Sequence, residues 1–122
     1  MKPRMIFALI ALTILSSCKK SYKYTEMFIK DKPLGGTELV EENPVVIEAK
    51  NDTLAYLDAY QKFFISKKAH AETEKKFGPP PIKKLLIDFK LYNEQGTIIS
   101  DSISFATKKE CENSIRKVAG YE

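Results

Sequence analysis

The side chains best suited to metal, nucleophilic or covalent chemistry are few: one histidine, His70, and two cysteines, Cys18 and Cys111. A catalytic triad or a histidine-rich metal site would have to be built on His70 alone. Glu74, one helical turn later, could add a second ligand, but zinc takes three or four. Cys111 lies on the apolar stripe of the last expected helix, where a thiol behaves as a small hydrophobe. Ser100, Ser102 and Ser104 alternate beside Ile98 without the glycine-flanked turn that exposes a serine nucleophile, and they read as the solvent face of a strand. Glu41 and Glu42 have no evident partner acid, and Gly35-Gly36 is too short for a phosphate cradle. The sequence therefore predicts no catalytic residue, no metal site and no enzyme. Cys18 remains, in the stretch "LTILSSCKK". It could be a core thiol, half of a disulfide, a metal ligand or the attachment point of something that is not protein.

The residues ahead of it favour attachment. Lys2 and Arg4 are followed by Met5 to Leu15 without a charge or a breaker, then by Ser16 and Ser17. An apolar run of about 11 residues is short for a bilayer-spanning helix, which needs roughly 20, and fits the central region of a secretory signal. The quartet Leu15-Ser16-Ser17-Cys18 resembles the lipobox of bacterial lipoproteins. The resemblance covers only the first 18 residues or so. It implies a diacylglyceryl group on the Cys18 sulfur, cleavage just before it, and often an acyl group on the new amino terminus. Two or three acyl chains hold a protein firmly, at about 0.8 kcal/mol per buried methylene. The only cofactor expected is this covalent lipid on Cys18. Lys19 and Lys20 differ from the aspartate that retains many lipoproteins at the inner membrane, and the first acid is Glu26. The resemblance thus implies a bacterial cell-envelope location, at the outer membrane and facing the periplasm.

Cleavage before Cys18 removes Lys2 and Arg4 and lowers the formal charge from +4 to +2. Setting aside Lys19, Lys20 and Lys23 as well leaves fifteen Lys and Arg against sixteen Asp and Glu. A near-neutral body argues against nucleic acid, which requires a basic patch on the folded domain. The basic excess belongs to the export signal and to residues 18–23, read as a tether whose lysines either meet anionic headgroups or simply stay solvated. With Cys18 lipidated, Cys111 has no disulfide partner and is expected to be buried. Residues 24–122 are long enough for one domain with its own core.

The elements that must position these residues alternate. Tyr24 to Lys30 reads as a strand, Thr37 to Pro44 as a loop with at most a short strand at Glu38 to Val40, and Val45 to Lys50 as a second strand. Asn51 and Asp52 offer helix caps, and Gly78 with Pro79, Pro80 and Pro81 stops a helix from about Thr53 to Phe77. Its first half carries Leu54, Leu57, Tyr60, Phe63 and Phe64 as an apolar stripe. Its second half, "SKKAHAETEKK", reads as a solvated overhang. A hairpin comes next, with Leu85, Ile87, Phe89 and Leu91 on one face and Ile99, Ile103 and Phe105 on the returning strand. Asn93-Glu94-Gln95-Gly96 forms its type I turn. Thr107 and Glu110 make a capping box for a last short helix, with Cys111, Ile115 and Val118 facing inward. The fold class expected is α+β: a two-layer sandwich with an antiparallel sheet of about four strands and helices on one face, in the order β-β-α-β-β-α.

With no site for chemistry, binding remains. Tyr56, Tyr60 and Phe63, with His70 beyond them, are the expected interaction surface, although aromatic rings are also what a domain without tryptophan must use for its core. Two functions compete: an envelope-tethered accessory, inhibitor or immunity-type module that binds another protein, and a binder of a small ligand or cell-wall fragment. A flat, partly apolar patch favours the first and a concave apolar pocket the second.

Overall fold

The structure, a computed structural model, describes residues 18–120. The expected signal peptide, residues 1–17, lies outside the described residues. A three-stranded antiparallel sheet carries two helices: β1 (Lys20–Asp31), β2 (Thr37–Ala49), α1 (Asp52–Phe77), β3 (Lys84–Tyr92) and α2 (Phe105–Val118). The strand order is β2-β1-β3, so α1 crosses over the central strand to connect two edge strands. No described helix is long and apolar enough to cross a membrane.

Two expectations about strands need correction. Residues 37–44 are not a loop, because β2 runs unbroken from Thr37 beside β1. Proline and acids in a strand argue for an edge, and β2 is an edge. Its pairing is irregular opposite Tyr24 to Glu26, and there Asn43 takes a φ of 57°, a left-handed conformation that asparagine tolerates. The expected fourth strand is reduced to one bridge between Tyr92 and Ile98. Ile99 N–H still donates to the Leu91 carbonyl at 2.8 Å, and the chain then turns, with Ser102 N–H bonded to the Ile99 carbonyl at 3.0 Å. Ser100 is buried, Ser102 closes this turn through its hydroxyl, and Ser104 caps α2, so the three serines shape a turn rather than a solvent-facing strand. The helix starts earlier than the Thr107 capping box implies, since Ser104 Oγ accepts from Thr107 N–H at 3.2 Å.

Both hairpin-like turns have the same construction. Gly35 N–H donates to the Lys32 carbonyl and Gly96 N–H to that of Asn93, at 3.1 and 3.0 Å. Each glycine has positive φ, 101° and 79°, closing a type I turn. The expected turn at Asn93 to Gly96 is therefore present, although it leads into a bridge and a second turn instead of a strand.

Helix α1 begins as its sequence says, with Asn51 Oδ1 accepting from Leu54 N–H at 2.9 Å. It ends at Gly78, whose N–H bonds to the Glu74 carbonyl. Its buried line is Ala55, Tyr56, Ala59 and Tyr60, rotated from the expected stripe so that Leu54 is exposed. The two alanines, completely buried, let the helix come close to a sheet face already filled by Tyr22, Tyr24, Phe89 and Leu91. The second half of α1 is exposed but is not an overhang. At 26 residues it is about 39 Å long, and the 12 residues of β1 extend about 40 Å. Ser66 and His70 thus lie above the far half of the sheet. Helix α2 lies against α1 and places Cys111 and Ile115 at the core margin, while Val118 is exposed.

Candidate interaction surface

Residues 18–23, read from the sequence as a tether, fall at the start of the sheet. β1 begins at Lys20, Tyr22 is buried, and only the exposed Cys18 and Lys19 precede the strand among the described residues. The start of β1, the end of β2, the start of α1 and the turn at 93–96 gather at this end of the molecule. Ser21 N–H donates to Glu94 Oε1 at 2.9 Å, and Tyr22 Oη donates to Asp52 Oδ1 at 2.7 Å. Burial and that carboxylate push the Tyr22 phenol up to about 12.

Of the four residues expected at an interaction surface, Tyr56 and Tyr60 are in the core, where their rings meet Phe89 at 5.4 and 6.4 Å. Phe63 is half-buried against the same ring at 5.3 Å. His70 is exposed, and its ring stands edge-on to Phe28 at 5.7 Å. The structure leaves only His70 and part of Phe63 available to a partner.

His70 borders a buried polar cluster that the sequence did not disclose. Glu26, 5% exposed, accepts from Tyr24 Oη at 2.8 Å and Asn43 Nδ2 at 2.9 Å. Burial alone would raise its pKa, but hydrogen bonds from Ser66, Asn43 and Tyr24 and the charge of His70 together hold it below the ordinary glutamate value. The same arrangement, led by burial, drives the Tyr24 phenol strongly upward. Glu26 is saturated by protein donors, which suits a structural role. Cys111 is buried as expected, and burial raises its thiol pKa with help from Glu110 and Glu112. Among the described residues, no group of three or more His, Cys, Asp or Glu is placed to hold a metal ion.

Neither helix covers the sheet face opposite α1, and an irregularity in β3 decides which of its leucines that face presents. The β1–β3 register shifts between Met27 and Phe28, so the alternation expected for Leu85, Ile87, Phe89 and Leu91 is broken. Leu86, Phe89 and Leu91 are buried, while Leu85 and Ile87 are exposed. Ile29 pairs with Leu39 on one side and Leu85 on the other, so these three exposed side chains form a row across all three strands. Toward the Cys18 end the face becomes polar. Glu41 Oε2 accepts from Thr25 Oγ1 and Tyr92 Oη, both at 2.7 Å, and Lys23 Nζ lies 4.5 Å from the Tyr92 ring centre. These bonds, Tyr92's foremost, hold the Glu41 carboxyl below its ordinary value, with Lys90 and Lys23 adding to the effect. The face thus carries an apolar row at one end and a polar, tyrosine-bearing cluster at the other.

Two apolar-lined grooves among the described residues are open to solvent. A groove of about 400 Å³ between the helices is lined by Phe64, Ile65, Ala69, Ile115 and Val118, among others. A second, about 510 Å³, runs past His70, Phe77, Pro79 to Pro81 and Ile82. No protein-family model, curated protein or solved structure matches the chain.

Proposed function

We propose that the protein is a cell-envelope lipoprotein, anchored by acyl chains on Cys18, whose α+β domain is a protein-interaction module of accessory, inhibitor or immunity type. The observation that supports binding of a protein is the open sheet face, which exposes Leu39, Ile29 and Leu85 in one row across the three strands. Exposure of Cys18 two residues before β1 is consistent with an anchor that holds the domain close to the bilayer. The reading places the domain at the outer membrane facing the periplasm, gives it no catalytic residue and no cofactor beyond the lipid, and assigns it no nucleic-acid partner. The alternative, a small-ligand or cell-wall binder, would draw on the groove beside His70 and Phe77, but that groove is open to solvent.

The test is an affinity capture from detergent-solubilised envelopes with tagged wild-type, Cys18→Ala and Leu85→Asp proteins. One stoichiometric protein partner, retained by wild type and lost from Leu85→Asp with an unchanged melting temperature, is the expected result. Capture of no protein, or capture indifferent to Leu85→Asp, contradicts the sheet face as the binding surface.

A further inference from the structure

The end of the domain farthest from Cys18 has a composition unlike the rest of the surface. It is made of two segments, the β1–β2 turn at residues 32–36 and the α1–β3 connection with the last turn of α1, residues 75–83. A hydrogen bond from Asp31 N–H to the Lys83 carbonyl, 2.9 Å, holds them side by side. Together they contain Lys32, Lys75, Lys76 and Lys83 and no acid, although Asp31 and Glu74 flank them. Leu34 at the apex of the turn is fully exposed, Phe77 is three-quarters exposed and Ile82 about half. The next lysine, Lys84, is already paired with Glu42.

We propose that this end is a bilayer-contact surface for anionic lipid. Charge complementarity points to an acidic partner, since lysines close to an anionic surface each strengthen binding to it. Shape favours a bilayer over an acidic protein. Leu34 projects from a convex turn, and a protein would need a matching pocket for it, whereas lipid accommodates any protruding apolar side chain. Phe77 beneath Lys76, whose Nζ lies 5.4 Å from the ring centre, combines apolar and basic groups in the way that interfacial segments do. Where the tip binds is a separate matter that rests on the lipoprotein reading. A domain about 40 Å long, joined to its acyl chains through two residues, can lie along its own bilayer and be held at both ends.

The test needs no acyl anchor, so its failure is separable from failure of the lipidation reading. Residues 18–122 carrying Cys18→Ala, which include every described element, are sedimented with vesicles of equal phosphatidylglycerol and phosphatidylcholine, and with phosphatidylcholine alone. Binding to the anionic vesicles is expected, falling as salt is raised. Leu34→Asp/Phe77→Asp and Lys75→Glu/Lys76→Glu should each weaken it by at least about tenfold, with circular-dichroism melts unchanged. Equal binding to both vesicle types, no binding to either, or binding unaffected by these variants overturns the proposal. So does loss of a captured envelope protein from the tip variants without any vesicle binding, which would make the occupant a protein.

Discussion

Glu26 shows how much one side chain can control without doing chemistry. Its carboxylate ties strand to helix and to the β2 irregularity through Tyr24, Asn43 and Ser66. Glu26→Ala would leave buried donors without an acceptor, and the expected loss of stability is roughly 3 kcal/mol in denaturant unfolding at neutral pH. Because the folded pKa lies below the unfolded one, the ionised group contributes stability above the ordinary value of 4.5, and that contribution is lost as pH falls through the lower folded value. Wild type should therefore lose stability below about pH 4.5 more steeply than Glu26→Ala, with Glu41 leaving a remainder of the same sign in the variant. The cluster is not legible in the sequence. Glu26 looks like one acid in a strand, because its donors are 2, 17 and 40 positions away and meet only when α1 covers the sheet.

Elements are legible where local chemistry fixes them and obscure where pairing does. Helix α1 announces itself through Asn51 at one end and Gly78 with three prolines at the other, and its bounds agree closely with those expected from these signals. The face it buries differs from the expected stripe, since a count of large apolar residues overlooks alanine. Ala55 and Ala59 are completely buried, so Ala59→Leu should destabilise the fold by about 2 kcal/mol through overpacking, while Leu54→Ala on the exposed side should cost less than about 1 kcal/mol. Equal effects in chemical denaturation would contradict this assignment of the helix face. Strand β2 is hidden by Glu38, Glu41, Glu42 and Pro44, charged residues common on edge strands and a proline that a central strand would not accommodate. The missing fourth strand has a local cause as well: the turn through Ser100 to Ser102 leaves Ile99 only one backbone bond to the sheet. The register shift in β3 decides which leucine joins the apolar row, since without it Leu86 would stand opposite Ile29, and no alternation rule applied to the sequence could place Leu85 outward.

At the scale of the whole molecule, the two ends have different characters. Cys18, the strand termini and the start of α1 lie at one end, and Leu34, Phe77 and the three prolines at the other, with the open sheet face between them. With the proposed anchor at Cys18 and the proposed lipid contact at the other end, the domain would lie along the bilayer. The α+β class and the single long helix are readable from the chain, while its polarity emerges only from topology. The envelope location proposed for the protein depends on the fate of one sulfur. The most direct test is intact-mass and amino-terminal peptide mass spectrometry on protein purified from the membrane fraction of the native host. A chain beginning at Cys18, heavier than its sequence by a diacylglyceryl group with or without a further acyl chain, is the result expected. A chain that retains Met1, or one that begins elsewhere with an unmodified Cys18 thiol, would contradict it.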